Sequence, residues 1–404
     1  MIDDISSKLP TLSSARAVGQ RGASQSGAKV AATRSKRLFS EMSRDARGRE
    51  ARARSNSEHL DAAVEWLYAA QDATDVGGCA SAYNLVLGWG EAYPETTGYI
   101  VPTLYDYADR VESREARTRA AEMAEWLLEI QLSDGGFPEG TDPKPDSEPS
   151  IFNTGQILFG LVRSYRETGD DRFREAARRA GEWLVSVQHE DGYWDQYDYH
   201  GVVHSYSSRV GWSLLEAYEI VGAEELRDAG RRNLEWVASL QRPNGWFEHC
   251  GFKPDEDPFL HTLAYTIRGL LEGGLLLEDE EFVEAARHSA DTLLGLQNRD
   301  GPLDGRYDEN FDGSPFYCLT GNAQMAIVWY RLAQVTGEKS YRRAADEAVA
   351  FLKRHQRMSG APELKGGLKG SHPIWGSYMF FRFPNWAAKF LADALLLSSE
   401  FSDE

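Results

Sequence analysis

Apolar residues recur three and four positions apart through most of this chain, with charged residues between them, which predicts helix after helix. In residues 114–131, Ala121, Met123, Ala124, Leu127, Leu128 and Ile130 form one broad apolar face, with Arg and Glu opposite. Residues 172–188 repeat the pattern with Phe173, Ala176, Ala177, Ala180, Trp183, Leu184 and Val187, and residues 225–240 repeat it again. These predict helices wet on one side. The stretches 151–166 and 259–276 are apolar nearly all round, as expected of helices covered on both sides.

The two kinds of helix alternate. Amphipathic helices end at Gln71, Gln131, Gln188 and Gln241, each preceded by a Trp five residues earlier, and two looser copies end at Gln297 and Gln356. A loop then leads to a more apolar helix. The unit recurs at intervals of 52 to 66 residues. One such pair cannot bury its apolar face alone, so neighbouring pairs must pack together. Six hairpins are enough to close a ring, which predicts an all-α (α/α)6 toroid. Several loops carry Asp-Gly or Asn-Gly, as at Asp134-Gly135, Asp191-Gly192 and Asn244-Gly245. Such pairs make tight turns, so the Gln-x-x-Asp-Gly-x-Trp segments read first as structural clasps.

The starts of the apolar helices also align. Thr96, Asn153, Arg209, His261, Leu319 and Asn385 occupy equivalent positions, five of them polar, and small residues follow in the next turn. Small residues let inner helices approach closely. Polar groups at those N-termini would project into a common mouth, where free helix N–H groups favour anions. Ordinary helix capping explains any single one of them.

Composition narrows the picture. Residues 1–55 hold 12 Lys/Arg and 5 Asp/Glu, about +7, and little apolar periodicity, which predicts a flexible basic arm with a short helix near 37–54. The remainder must be about −26 to give the net −19, and residues 56–404 are expected to form the toroid as one domain. A basic arm can touch nucleic acid or an anionic surface, but a solvated tail explains it, and no nucleic-acid partner is expected. No run of 18 apolar residues predicts a membrane span. The three cysteines, Cys79, Cys250 and Cys318, fit neither a disulfide framework nor a zinc pattern, so a reduced cytoplasm is the expected location. No cofactor and no metal are expected, although Asp304, Asp308 and Asp312 form an acidic set. Oligomeric state is not legible.

A resemblance follows from these motifs. Trp-Leu-x-x-x-Gln-x-x-Asp-Gly-x-Trp at residues 183–194 resembles the repeat of squalene and terpene cyclases and of prenyltransferase toroids. The six-hairpin layout over about residues 58–400 is similar to the (α/α)6 barrels of six-hairpin glycosidases, sugar epimerases and polysaccharide lyases. The last loop and helix also resemble proteins of surface-polysaccharide gene clusters. These likenesses imply an architecture rather than a reaction. The Asp-x-Asp-Asp and Asp-Asp-x-x-Asp motifs of terpenoid chemistry are missing, as are prenyltransferase zinc ligands.

Candidate chemistry concentrates in loops leading to the inner helices. Pro94 fixes the approach to one of them, and Glu95 falls at its start, where a carboxylate can act as base, nucleophile or hydroxyl acceptor. The third loop offers Trp194, Asp195, Tyr197, Asp198, His204 and Tyr206. Aromatic faces carry the C–H side of a sugar ring, and two carboxyls set the geometry of glycoside hydrolysis. Glu95, Asp195, His204 and His261 are therefore the candidate catalytic set, with Asp195 or Asp198 as the second carboxylate. Tyr99, Asn153, Gln156, Trp194, Tyr197, Arg209, Trp212, Tyr265, Asn322, Trp375, Tyr378, Asn385 and Lys389 are the candidate substrate-binding set. Arg209, His261 and Lys389 would give the site a positive side suited to uronate. The expected function is a carbohydrate-active enzyme on an oligo- or polysaccharide, hydrolase first, lyase or epimerase next. A non-catalytic glycan-binding toroid is the alternative, and terpene cyclase-like chemistry comes third.

Overall fold

The computed structural model describes residues 23–401 apart from Arg49, Ala51 and Pro145, with side chains from Ala32 onward. Six outer helices form: α2 (Asn56–Asp72), α4 (Arg114–Ile130), α6 (Asp171–Ser186), α8 (Glu224–Ser239), α10 (Glu280–Leu296) and α12 (Lys339–His355). They alternate with six inner helices: α3 (Pro94–Val111), α5 (Ile151–Thr168), α7 (Ser208–Val221), α9 (Leu260–Leu277), α11 (Leu319–Thr336) and α13 (Asn385–Glu400). Each inner helix packs on the next around the ring, and α13 returns to α3. The chain is an (α/α)6 toroid, as the periodicity predicts.

Inner helices turn tightly into the outer helices that follow them. The turns pass through left-handed residues, Gly169, Gly222 and Gly337 among them, which satisfy the last carbonyls of each inner helix. The first outer helix has no preceding partner and packs on α13 instead, so the two ends of the domain close the ring on each other. Close approach of the inner helices depends on small residues. A Cβ on Gly160 would fall 2.5 Å from the Gly98 carbonyl oxygen, and one on Gly269 would meet Ser208.

The recurring glutamines act as clasps. The Gln131 amide donates to the Gly135 carbonyl of its own loop and to the Ala176 carbonyl of the next outer helix, both at 2.9 Å. Gln188 does the same with Gly192 and Ala229, and Gln297 with Gly301 and Ala344. Gln356 reaches Gly366 and the His59 carbonyl of α2, carrying the series across the closure.

Short strands trim the loop end. β1 (Ala82–Asn84) pairs antiparallel with β2 (Gly88–Trp89) and with β5 (Arg382–Pro384), and β3 (Tyr317–Cys318) pairs with β4 (Ser371–His372).

Residues 1–22 of the expected arm lie outside the described residues. Its remainder carries α1 (Ala23–Ala46), a longer helix than the sequence suggests. This helix docks on the last loop. Asp45 pairs with the buried Lys369 and accepts the Ile374 N–H, while Glu41 pairs with Arg357 at 3.2 Å. Among the described residues no helix is long and apolar enough to cross a membrane. The three cysteines are buried and free.

Candidate active site

Two cavities open at opposite ends of the toroid. One, of about 380 Å³, lies at the N-terminal ends of the inner helices. The other, of about 680 Å³, lies toward their C-terminal ends. Tyr99 borders both.

The first is the mouth that the aligned helix starts predict. Tyr93 caps α3, Pro94 occupies its first position, and Glu95 follows in the first turn. The helix N-terminus favours a carboxylate there, but burial wins. The loss of hydration raises Glu95 to a pKa of about 7, against the lowering effects of the Tyr93 hydroxyl and the Arg209 charge. The Tyr93 hydroxyl donates to Glu95 Oε2. Burial and the adjacent carboxyl hold that phenol well above its usual range, so it stays a donor.

His261, the second residue of α9, lines the same cavity. Burial lowers it to about 3, opposed by its hydrogen bond to Gln324, so the imidazole is neutral. Its Nδ1 lies 2.9 Å from Gln324 Oε1 on α11. That oxygen accepts, so Nδ1 carries the proton and Nε2 keeps its lone pair.

Aromatic rings make the walls. Phe152 packs edge-on against Tyr206 at 5.3 Å and lies 5.5 Å from Tyr265. Tyr378 stands 5.1 Å from Phe259 and 5.2 Å from His261, and its hydroxyl accepts from Trp386 Nε1 at 2.8 Å. Polar groups are few: Ser150, Asn153, Ser377 and, at the exposed rim, Glu139. The Tyr265 hydroxyl is buried at the cavity and interacts with the Tyr99 side chain.

The structure thus unites Glu95, His261, Tyr99, Asn153, Tyr265 and Tyr378. The other expected residues lie elsewhere. Asp195 is exposed on its loop and does not line the cavity. His204 is buried behind Tyr206, its ring 4.5 Å away and its Nδ1 3.2 Å from Asp198 Oδ2, so both are structural neighbours of the wall. Trp194 is buried, with Nε1 donating to the Leu184 carbonyl. Tyr197 lies on the surface against Trp183, and Trp375 is also exposed.

Several of the expected binding residues tie loops to helices. Asn322 accepts the Leu303 N–H at 2.7 Å and donates to the Leu303 and Cys318 carbonyls. Asn385 donates to the Ala80 carbonyl and to Thr96. Even Asn153, at the cavity, spends its amide on the Pro138 carbonyl.

Arg209, Trp212 and Lys389 face the opposite cavity, where Arg209 binds Gln156 and Lys389 pairs with Asp393. With His261 neutral, the mouth does not have the positive side that the sequence suggests. Sequence reasoning also missed Gln324, the walls formed by Phe152, Phe252, Phe259 and Trp386, and the rim carboxylate Glu139. A signal existed for Tyr93, two residues before Glu95 across a helix start. None existed for Gln324, whose role depends on the packing of two inner helices.

Comparisons with known proteins agree with this architecture. The pectic acid lyase family matches residues 151–213. A 69-residue segment, 17% of the chain, is 36% identical to archaeal glycosylation protein Q of Haloferax volcanii and spans 19% of that protein. Among solved structures, an unsaturated glucuronyl hydrolase specific for heparin superposes with a TM-score of 0.71 at 17% identity, over 86% of this chain and 98% of its own. The unsaturated glucuronyl hydrolase of Bacillus sp. GL1 gives 0.68 at 15% identity, over 85% and 96%. A sugar epimerase from a ruminal bacterium gives 0.68 at 13% identity, over 84% and 97%. At these identities the likeness is one of fold.

Proposed function

We propose that this chain is a carbohydrate-active enzyme that transfers a proton to or from a sugar ring in the mouth cavity, with Glu95 as the acid–base group. One observation carries the reading. Glu95 is a cavity carboxyl whose affinity for a proton is matched to neutral pH, the condition under which one group can both give and take it.

The surroundings fit that role. Tyrosine and phenylalanine rings offer faces to the C–H side of a sugar. Tyr99, Tyr265 and Ser150 line the cavity with hydroxyls that offer hydrogen bonds to ring hydroxyls. His261 Nε2 supplies a second acceptor, held by Gln324. The carboxylate pair expected for direct hydrolysis, Glu95 with Asp195 or Asp198, does not assemble, and the second carboxyl that lines the mouth, Glu139, lies at its exposed rim. The arrangement therefore favours reactions run by one buried carboxyl, such as addition of water across a sugar double bond, elimination of a leaving group that forms one, or epimerisation. The epimerase, hydrolase and lyase neighbours lend support at the level of substrate class.

The test is a screen of neutral and uronate-containing oligosaccharides, following reducing ends, the unsaturated-uronate chromophore and solvent deuterium together. Activity in one channel that is lost in Glu95→Gln supports the reading. Full activity in that variant, or binding with no turnover in any channel, refutes it and leaves a glycan-binding toroid. The mostly aromatic wall beside a protonatable acid also suits protonation of an apolar polyene, so an isoprenoid substrate belongs in the same screen.

A further inference from the structure

The second cavity, at the far end of the toroid, is charged where the mouth is aromatic. Its rim balances its charges: Arg163 pairs with Asp106 and Asp109, and Arg166 with Glu216. Its floor does not. There Arg209, Arg268, Arg331 and Lys389 stand near Glu272 and Asp393, with Glu400 also acting on Arg331. Asp393 is taken by Lys389, and Glu272 is gripped by Arg331 at 3.0 Å with Arg268 3.6 Å away.

Among the described residues no carboxylate pairs directly with Arg209, although its charge acts on Glu95 and Asp393. Arg209 is 2% exposed, its Nε donates to the neutral Gln156 Oε1 at 2.8 Å, and its Nη1 has no hydrogen-bond partner. It also stands in the first turn of α7, where the helix dipole disfavours a cation. The usual explanation for arginines near this end, neutralising helix C-terminal carbonyls, does not apply to it. Burying an unpaired charge is costly. Arg209 and Arg268 lie 5.2 and 5.3 Å from the same Trp212 ring, and Phe159 lies 5.2 Å from Arg209. The floor thus carries more positive side chains than carboxylates, between aromatic sides.

We infer that the far cavity is a second ligand site, taking an oxyanion carried on a sugar-sized molecule, with Arg209 and Arg268 as its donors and Trp212 and Phe159 as its stacking wall. Carboxylate and phosphate share the chemistry that two guanidiniums recognise, so a sugar acid and a sugar phosphate are the two sources to separate. The site stands independently of the reaction at the mouth.

Calorimetric titration of the full chain at low ionic strength tests it, using glucuronate, glucose 6-phosphate, inorganic phosphate and glucose as probes. One of the oxyanion-bearing sugars is expected to bind and to raise the Tm, and glucose is expected to do neither. Arg268 lines the far cavity and not the mouth, so Arg268→Gln should weaken binding about tenfold, the loss of one charge-assisted hydrogen bond. Arg209→Met should abolish it while leaving the ligand-free Tm equal or higher, because an uncompensated charge is removed. The inference fails if no oxyanion binds the wild type, or if binding survives in Arg268→Gln and Arg209→Met. It fails also if Arg209→Met melts well below wild type and Arg268→Gln binds normally, which would make Arg209 a structural residue.

Discussion

The Tyr93 hydroxyl donates to Oε2 of Glu95 across the first turn of α3, and this bond opposes the burial that would otherwise keep the carboxyl protonated. The pair sets the proton affinity of the mouth. Replacing the phenol with Phe removes the donor and retains the ring. In Tyr93→Phe the pKa of Glu95 should rise above about 7, and any activity limb that requires the carboxylate should move to higher pH. A pH–rate profile of kcat/KM for the two proteins checks this, and an unmoved limb would detach Tyr93 from Glu95.

Glu95 should also mark the stability curve. Its folded pKa lies above the ordinary carboxyl value, so the folded state holds a proton that the unfolded chain has released. That contribution is fully present below about pH 4.5 and is lost as pH rises through about 7. Glu95→Gln should therefore gain Tm over wild type on going from about pH 5 to about pH 8, read by thermal melts across that range.

His261 has the opposite sign. Its folded pKa of about 3 is far below the ordinary 6.5, so the unfolded chain takes up protons first as pH falls. Stability from keeping this ring neutral is present above 6.5 and is lost as pH falls toward 3. His355, lowered to about 3 by burial, acts in the same window. A His261→Gln variant should lose less Tm than wild type between about pH 6.5 and about pH 4.

Asp45 joins α1 to the toroid. Its partners Lys369 and His372 hold it at about 2 although burial alone would raise it. Its contribution is present above the ordinary 3.8 and is lost as pH falls through about 2. Asp45→Ala leaves Lys369 buried without its counterion, a loss on the order of 3–5 kcal/mol. The expected readouts are a lower Tm and faster proteolysis between α1 and α2. Unchanged cleavage would mean that the helix is held by other contacts.

The clasps predict a uniform cost. Gln188→Ala removes three hydrogen bonds at the join of α6 and α8, two donated to the Gly192 and Ala229 carbonyls and one accepted from Arg232, worth about 1 kcal/mol each. Chemical denaturation should show a loss of about 3 kcal/mol with ligand binding at both cavities retained. A loss confined to binding would assign the glutamine to a site instead.

The repeat was legible because helix periodicity and the Gln-and-glycine loops are local. Apolar spacing dictates which face is buried, and an amphipathic pair that cannot bury that face alone must recur and close. Glu95 and His261 were legible for the same reason, since a helix start is a local position that points to the mouth of a ring. What the sequence could not decide was the direction of each side chain past that point. Arg209 and His261 hold equivalent places in the repeat, yet His261 lines the mouth while Arg209 lies on the floor of the far cavity. The difference comes from neighbouring helices, with Gln324 holding one and Gln156 the other. Loop residues were less legible still. Asp195, Tyr197 and Trp375 have the composition of a sugar site, but the course of their loops leaves them exposed, and that course depends on contacts far apart in the chain.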